Sequence, residues 1–338
     1  MPADARTRTA TGSPSRWRTW SAGAAKLTIS LLLLWLVLQR FSYQELAAQV
    51  ARTRLEALVL PLLMILASNL LGALQWGTLV RASGLTVARG RLLRLYFASL
   101  FFSNLGVGNL GGDAYKIFKL GRSEGALGRV AGATIVDRVV GASALCALAL
   151  IVAAGSLGRE HVPGFLSLLV LACSFVILGL SAVVLHPASA ARFERLLRSL
   201  PWPSINTRLA RLLGYLREYG ERVPVLRAVF LLSLVIQSAR VGAHYCVGLA
   251  MGLDLHASDL SKFFLVIPIL GLLVALPLSI GGWGVREWAG AVLFVPLGRS
   301  GEEAVTLLAL TATLTFLVNL VGGLVVWLWN LPRPERLV

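Results

Sequence analysis

The chain has 338 residues, of which 57% are hydrophobic and only 14% charged, against about a quarter charged in ordinary soluble domains. Its formal charge of +16 gathers in short segments between apolar runs, which speaks against a soluble enzyme and a nucleic-acid binder. That pattern fits membrane spans whose basic loops set orientation and face anionic lipid.

Residues 1–26 carry Arg6, Arg8, Arg16, Arg18 and Lys26 against Asp4 alone, so a cytoplasmic tail is expected. No small-residue cleavage site clearly follows the first apolar run, 27–38, which reads as an uncleaved first span. A second span, about 57–80, returns to Arg81, Arg89, Arg91 and Arg94. The stretch 95–110 is apolar but short and broken by Asn104, Gly106, Gly108 and Asn109. Spans follow at 130–154 and 164–185, ending on an arginine-rich loop, 188–227, with two amphipathic segments separated by Pro201 and Pro203. The last full spans are 229–251 and 304–329, and 263–298 lies between them, interrupted by Pro268, Pro277 and the break Gly281-Gly282-Trp283-Gly284.

Counting loop charges puts both ends of 95–110 on the cytoplasmic side and both ends of 263–298 outside. Both elements should therefore be re-entrant, sheltered by protein or water because lipid forbids unpaired backbone. The expected fold is an all-α polytopic membrane protein with about six full spans and two re-entrant helical elements. Entry from opposite sides is the signature of an inverted-topology repeat. The expected organisation is a cytoplasmic tail (1–26), one transmembrane domain (27–330) and a short cytoplasmic tail (331–338). Within the domain, halves at 27–186 and 228–330 flank an amphipathic linker, 187–227.

Charge inside a bilayer costs about 2.5–3.5 kcal/mol per residue on insertion scales, so it marks partners or cavities. Asp137 and Arg138 are such charges. Asp113 is the expected partner of Arg138, with Asp137 free to meet Lys116 or Lys119. Gly111 and Gly112 permit close backbone approach, and a helix restarting after them would offer N–H groups to a phosphate. Lys116 and Lys119 could neutralise such an anion. In the second break, Gly281 and Gly282 lead to Arg286, whose guanidinium can grip two phosphate oxygens, and to Glu287, which could hold that arginine. Trp283 and Trp288 read as interfacial anchors.

His161, His186, His244 and His256 are scattered, and Cys146, Cys173 and Cys246 sit in apolar runs without metal-ligand spacing. No catalytic residue, metal site or cofactor is expected.

The segment from Asn104 through Gly111-Gly112-Asp113 to Lys116, the pair Asp137-Arg138 followed by Val139 and Gly141, and Gly281-Gly282 to Arg286-Glu287 resemble the lysylphosphatidylglycerol synthase transmembrane-region family. Its members are also described as flippase-like, and the resemblance runs from about residue 27 to 329. It implies a multi-pass lipid-translocating domain of the bacterial inner membrane, with both termini cytoplasmic. Only eight residues follow Asn330, so the synthase domain of bifunctional members is not expected. The leading expectation is transbilayer movement of an anionic or glycosylated lipid: a phospholipid, an aminoacyl lipid, or a polyprenyl-linked or other glycolipid. Its headgroup would bind at Asn104, Asn109, Gly111, Gly112, Asp113, Lys116, Lys119, Asp137, Arg138, Gly281, Gly282, Arg286 and Glu287. The rivals are a lipid-linked glycosyltransferase or other lipid-modifying enzyme, and a non-catalytic partner of an envelope-synthesis enzyme. An oligomer is compatible with either reading.

Overall fold

A computed structural model describes residues 43–105, 110–156, 164–185, 192, 203–275 and 284–330. All regular structure among them is helical. The helices are α1 (Tyr43–Arg52), α2 (Val59–Ala82), α3 (Arg89–Leu105), α4 (Leu110–Ser123), α5 (Leu127–Ser156), α6 (Gly164–Leu185), α7 (Pro203–Gly220), α8 (Val223–Ala250), α9 (Leu260–Ala275), α10 (Val285–Phe294) and α11 (Gly301–Asn330). Short 3-10 turns precede α2 and α9 and follow α10.

Six segments among these residues are long and apolar enough to cross a membrane: 55–82, 127–155, 164–182, 223–250, 257–275 and 301–328. Five of them are the spans read from the sequence. The sixth, 257–275, was expected as the descending limb of a re-entrant element, and the expected first span, 27–38, lies outside the described residues. Large apolar side chains stay exposed along these helices, with Phe175 at 82% and Leu168 at 67%. Such a surface would be untenable in water and matches the surroundings of acyl chains.

The fold is built around α2 and α8, which pack along each other. They run antiparallel. The Arg54 N–H, just before α2, donates to the Ala250 carbonyl at the end of α8 (2.8 Å). At the other end the Tyr219 hydroxyl, just before α8, donates to the Leu79 carbonyl (2.8 Å).

After each of these two helices, the next described helices are one of 16 or 17 residues, a shorter one of 10 or 14, and one of 30 residues. The first series is α3–α4–α5 and the second is α9–α10–α11. The mouth of the first hairpin is closed by Arg91, whose guanidinium meets Glu124 and Ser123 at 2.8 Å each. The second is closed by Asp259, which pairs with Lys262 at 2.7 Å and approaches Arg299 at 3.9 Å. One mouth follows the end of α2 and the other the end of α8, so the antiparallel pair places them at opposite ends of the molecule. The packing repeats as well: α11 lies on α3 and α5 lies on α9, while each short helix packs on its own long one. This is the two-hairpin arrangement expected of an inverted repeat.

Close approach in these contacts depends on small residues, as is usual between membrane helices. A Cβ on Gly322 of α11 would collide with the Phe97 carbonyl of α3. One on Gly112 of α4 would strike the Ser99 carbonyl and the Ser103 hydroxyl of α3.

Helix α7 differs in part from its expected role of lying in the lipid interface. Leu213, Leu216 and Tyr219 are buried in the core cluster that contains Leu79 and Val130. Its apolar stripe therefore also packs on protein. The other expected amphipathic segment, around residues 193–200, lies outside the described residues.

Candidate functional site

Between α3, α4, α5, α6, α8 and α9 lies a cavity of about 900 Å³. Its walls are chemically unlike. One wall presents Asp113, Lys116, Asp137, Arg138, Arg240 and His244. Most of the remaining lining is apolar, including Leu169, Val176 and Ile177 of α6 and Leu272 and Leu273 of α9.

The ionic wall is assembled from the first two turns of α4, the N-terminal half of α5 and the middle of α8. Asp113 accepts two hydrogen bonds from Arg138, from Nε at 2.8 Å and from Nη2 at 2.9 Å. This bidentate pair is the one anticipated from the cost of lone charges in hydrocarbon. The Arg138 side chain nevertheless keeps 48% of its surface accessible. Its remaining face opens to the cavity.

Lys116 is placed differently from expectation. Its ammonium pairs with Asp113 at 3.1 Å and lies 5.2 Å and 5.1 Å from the ring centres of Trp76 and Tyr96. The residue is 2% exposed. It is thus held by a carboxylate and two aromatic faces, and it contributes positive potential to the cavity more than a free donor.

Asp137 bonds to neither lysine: Gln75 Nε2 donates to its Oδ1 at 2.8 Å, and Ser233 donates to Gln75 Oε1 at 2.7 Å. A polar relay through α5, α2 and α8 therefore fixes this carboxylate. Lys119 is exposed and is absent from the cavity wall. At about 100° per residue it sits roughly 240° around α4 from Asp113, so it faces away.

The glycine pair also behaves differently. Helix α4 already begins at Leu110, so Gly111 and Gly112 lie inside its first turn and do not precede it. Gly112 is buried, and it serves the close packing on α3 described above.

Arg240 was not singled out in the sequence, although it is an arginine inside the span 223–250. Among the described residues no carboxylate lies within ion-pair distance of it, and its Nε reaches only the Ser68 hydroxyl at 3.5 Å. Three cations on this wall thus face two carboxylates, and Asp113 is already engaged by two of them. Arg240 is the cation with the most bonding capacity left for a ligand. His244, one turn along α8, bonds through Nδ1 to the Arg240 carbonyl at 2.8 Å. A carbonyl only accepts, so Nδ1 carries the proton and Nε2 is left as an acceptor.

The second hairpin contributes an adjoining cavity of about 240 Å³ that shares Ser103, His244, Ile267, Gly271 and Val274 with the first. Arg286 lines it, as do Asn104 and Asn319. The Asn319 Nδ2 donates to Asn104 Oδ1 at 3.0 Å. Arg286 therefore belongs to a smaller chamber than the Asp113–Arg138 pair.

Glu287 is 2% exposed and does not line either cavity. Its Oε2 accepts the Gly284 N–H at 2.7 Å, so it caps α10 at a glycine whose φ of +81° favours that residue type. Its Oε1 has no hydrogen-bond partner. Trp288 is 46% exposed, compatible with an anchoring position. Asn109, Gly281 and Gly282 lie outside the described residues.

No group of His, Cys, Asp and Glu that could hold a metal occurs among the described residues.

Crossing helices, apolar outer faces and an interior charged cavity define a multi-pass helical membrane protein. The comparisons with known proteins give it a family. Residues 23–323 match the model described as "Lysylphosphatidylglycerol synthase TM region", and the chain belongs to that family. It is also similar to a protein of Pyrococcus horikoshii described as "UPF0104 membrane protein PH1989". The two are 23% identical over 331 residues, covering 89% of this chain and 94% of that protein. No solved structure matches the chain.

Proposed function

We propose that this protein moves an anionic or glycosylated lipid across the bilayer, with the headgroup in the large cavity and the acyl chains along its apolar wall. The observation that carries this reading is the division of one cavity into an ionic wall and a hydrocarbon wall. A soluble anion would need no apolar face of that extent, and an apolar ligand would not justify three cations inside a membrane. Arg240 is the principal phosphate contact. Arg138 offers its open face, while Lys116 contributes charge from beneath. The family's name, which refers to a phosphatidylglycerol-derived lipid, supports a phospholipid-type substrate.

The inverted hairpins give a means of alternating access, since exchange of conformation between halves would open the cavity to each side in turn. The basic loop charges favour cytoplasmic termini.

Reconstitution in vesicles carrying acyl-labelled lipids, with transbilayer exposure read by a membrane-impermeant quencher, tests the reading. A charge-assisted hydrogen bond is worth about 1.5–3 kcal/mol, so Arg240→Ala should slow movement of an anionic probe roughly ten- to a hundredfold. A rate equal to that of the unmodified protein would remove Arg240 from the site. A covalently altered lipid would replace the transport reading with an enzymatic one.

A further inference from the structure

The small chamber beside the main cavity has a polar wall that the headgroup's phosphate does not explain. Asn104 of α3 and Asn319 of α11 meet there through a single hydrogen bond. Asn104 Nδ2 and Asn319 Oδ1 are buried and without a partner. Exchanging oxygen and nitrogen in both amides leaves the same result, one donor and one acceptor unspent. Buried polar groups are ordinarily bonded, and an orphan pair on the wall of a cavity asks for a ligand supplying both roles.

The neighbouring hydroxyls sharpen the demand. Ser103, Thr311 and Thr315 each donate to the carbonyl four residues earlier on their own helix, at 3.0, 2.8 and 2.8 Å. Their hydrogens are committed, so they can act toward a ligand only as acceptors. His244 likewise has only its acceptor nitrogen remaining. Cationic groups of a ligand would meet Arg286 on the same wall, and among the described residues no carboxylate lines the chamber to compensate them. Its 240 Å³ holds the equivalent of about eight waters at roughly 30 Å³ each, which is the scale of a glycerol or one sugar ring.

We infer that this chamber is a polyol subsite: it takes the hydroxyl-bearing, uncharged end of an anionic headgroup whose phosphate lies toward Arg240, and it rejects an amine-bearing end. Ser103 and His244, shared by both cavities, mark the passage between the two parts of the headgroup. The inference rests on the transport reading for its lipid context, and on the chamber's own geometry for its chemistry.

The test compares acyl-labelled phosphatidylglycerol, phosphatidylethanolamine and phosphatidic acid in vesicles containing the full chain. The glycerol headgroup should move at least tenfold faster than the other two. Asn319→Leu should abolish that preference while leaving the phosphatidic acid rate within twofold. Thr315→Val, nearly isosteric, should weaken the preference without loss of folding, and this controls for a misfolded leucine variant. Equal loss on all probes, or movement of all three lipids at equal rates by the unmodified protein, overturns the subsite.

A separate arm measures binding of soluble glycerol 3-phosphate against inorganic phosphate in detergent. If no lipid moves but glycerol 3-phosphate binds more tightly and Asn319→Leu removes the difference, the transport reading falls and the subsite stands. If the two soluble probes bind alike in the unmodified protein, the polyol assignment falls whatever the vesicles do.

Discussion

Asp113 holds two cations at once, and its removal should be far more damaging than the removal of either. The carboxylate accepts bonds of 2.8 and 2.9 Å from Arg138 and lies 3.1 Å from the Lys116 ammonium. In Asp113→Asn the shape remains but the counter-charge is gone. Lys116 cannot turn to water at 2% exposure, and the carboxylate of Asp137 is bonded to Gln75. Breaking a buried ion pair from one side costs about 3–5 kcal/mol. Half of the Arg138 surface is accessible to the cavity, so its share is small and about 3 kcal/mol is expected in total. Lys116→Met should behave oppositely. It leaves the Arg138–Asp113 pair intact, fills similar volume between Trp76 and Tyr96, and should change stability by less than about 1 kcal/mol, since apolar replacement of a buried charge is often neutral. The double variant should recover about 1–2 kcal/mol of the Asp113→Asn loss, a coupling expected of residues in contact. Unfolding in mixed micelles by titrated dodecyl sulfate, followed through tryptophan fluorescence, supplies the free energies. An Asp113→Asn protein as stable as the unmodified one would refute the reasoning, and so would a Lys116→Met protein equally damaged.

Two further outcomes can be measured on the same unfolding curves. Gly322→Ala and Gly112→Ala should each destabilise by about 1–3 kcal/mol, since the added methyl meets backbone carbonyls of α3 that cannot move aside. Tyr219→Phe should cost about 0.5–1.5 kcal/mol through loss of its bond to the Leu79 carbonyl. Burial pushes the Tyr219 phenol up to about 12 from an ordinary value of 10.0. Because the folded value is the higher one, this contribution is fully present below about pH 10 and is lost as pH rises toward 12. The phenylalanine variant should therefore show a shallower alkaline loss of stability between those limits, and an unchanged slope would remove Tyr219 from that transition.

Apolar length was the most legible feature of the sequence, since hydrocarbon thickness fixes it and five spans follow directly. The ambiguity at 257–275 is physical: its apolar content meets the length of a span, while its return helix α10 has only ten residues. The Asp113–Arg138 pair was legible for the same reason that spans are, because lone charge at depth must find a partner. What could not be read was which helix face each residue occupies. Lys119 lies three residues beyond Lys116 and so seemed equivalent, but two such steps from Asp113 carry it off the cavity face. Gln75, Ser233 and Asn319 were invisible because neutral polar residues on apolar helices give no signal until a partner helix is placed. Arg240 did carry a signal, as a lone arginine well inside an apolar run.

The two hairpins correspond in order and packing, yet they are not locked alike. Asp113 and Glu287 both sit in the first turn of a short helix. The long helix α5 offers Arg138 to the first, but α11 contains no lysine or arginine between Gly301 and Asn330. In the first half the carboxylate is therefore pinned by ionic bonds across two helices. In the second it caps its own helix, with one oxygen unpaired. An exchange of conformation between symmetric halves would cost the same in both directions only if their locks were equal. In such an exchange the forward step would release a bidentate ion pair, worth several times the single backbone bond that holds Glu287. On the proposed transport reading, the resting state would be the one with the α3–α4–α5 hairpin closed, and a ligand that competes for Arg138 would lower the barrier to leaving it. An anionic headgroup has that property and an uncharged lipid does not, so on that reading the same pair that stabilises the fold would also make movement depend on the charge of what is bound.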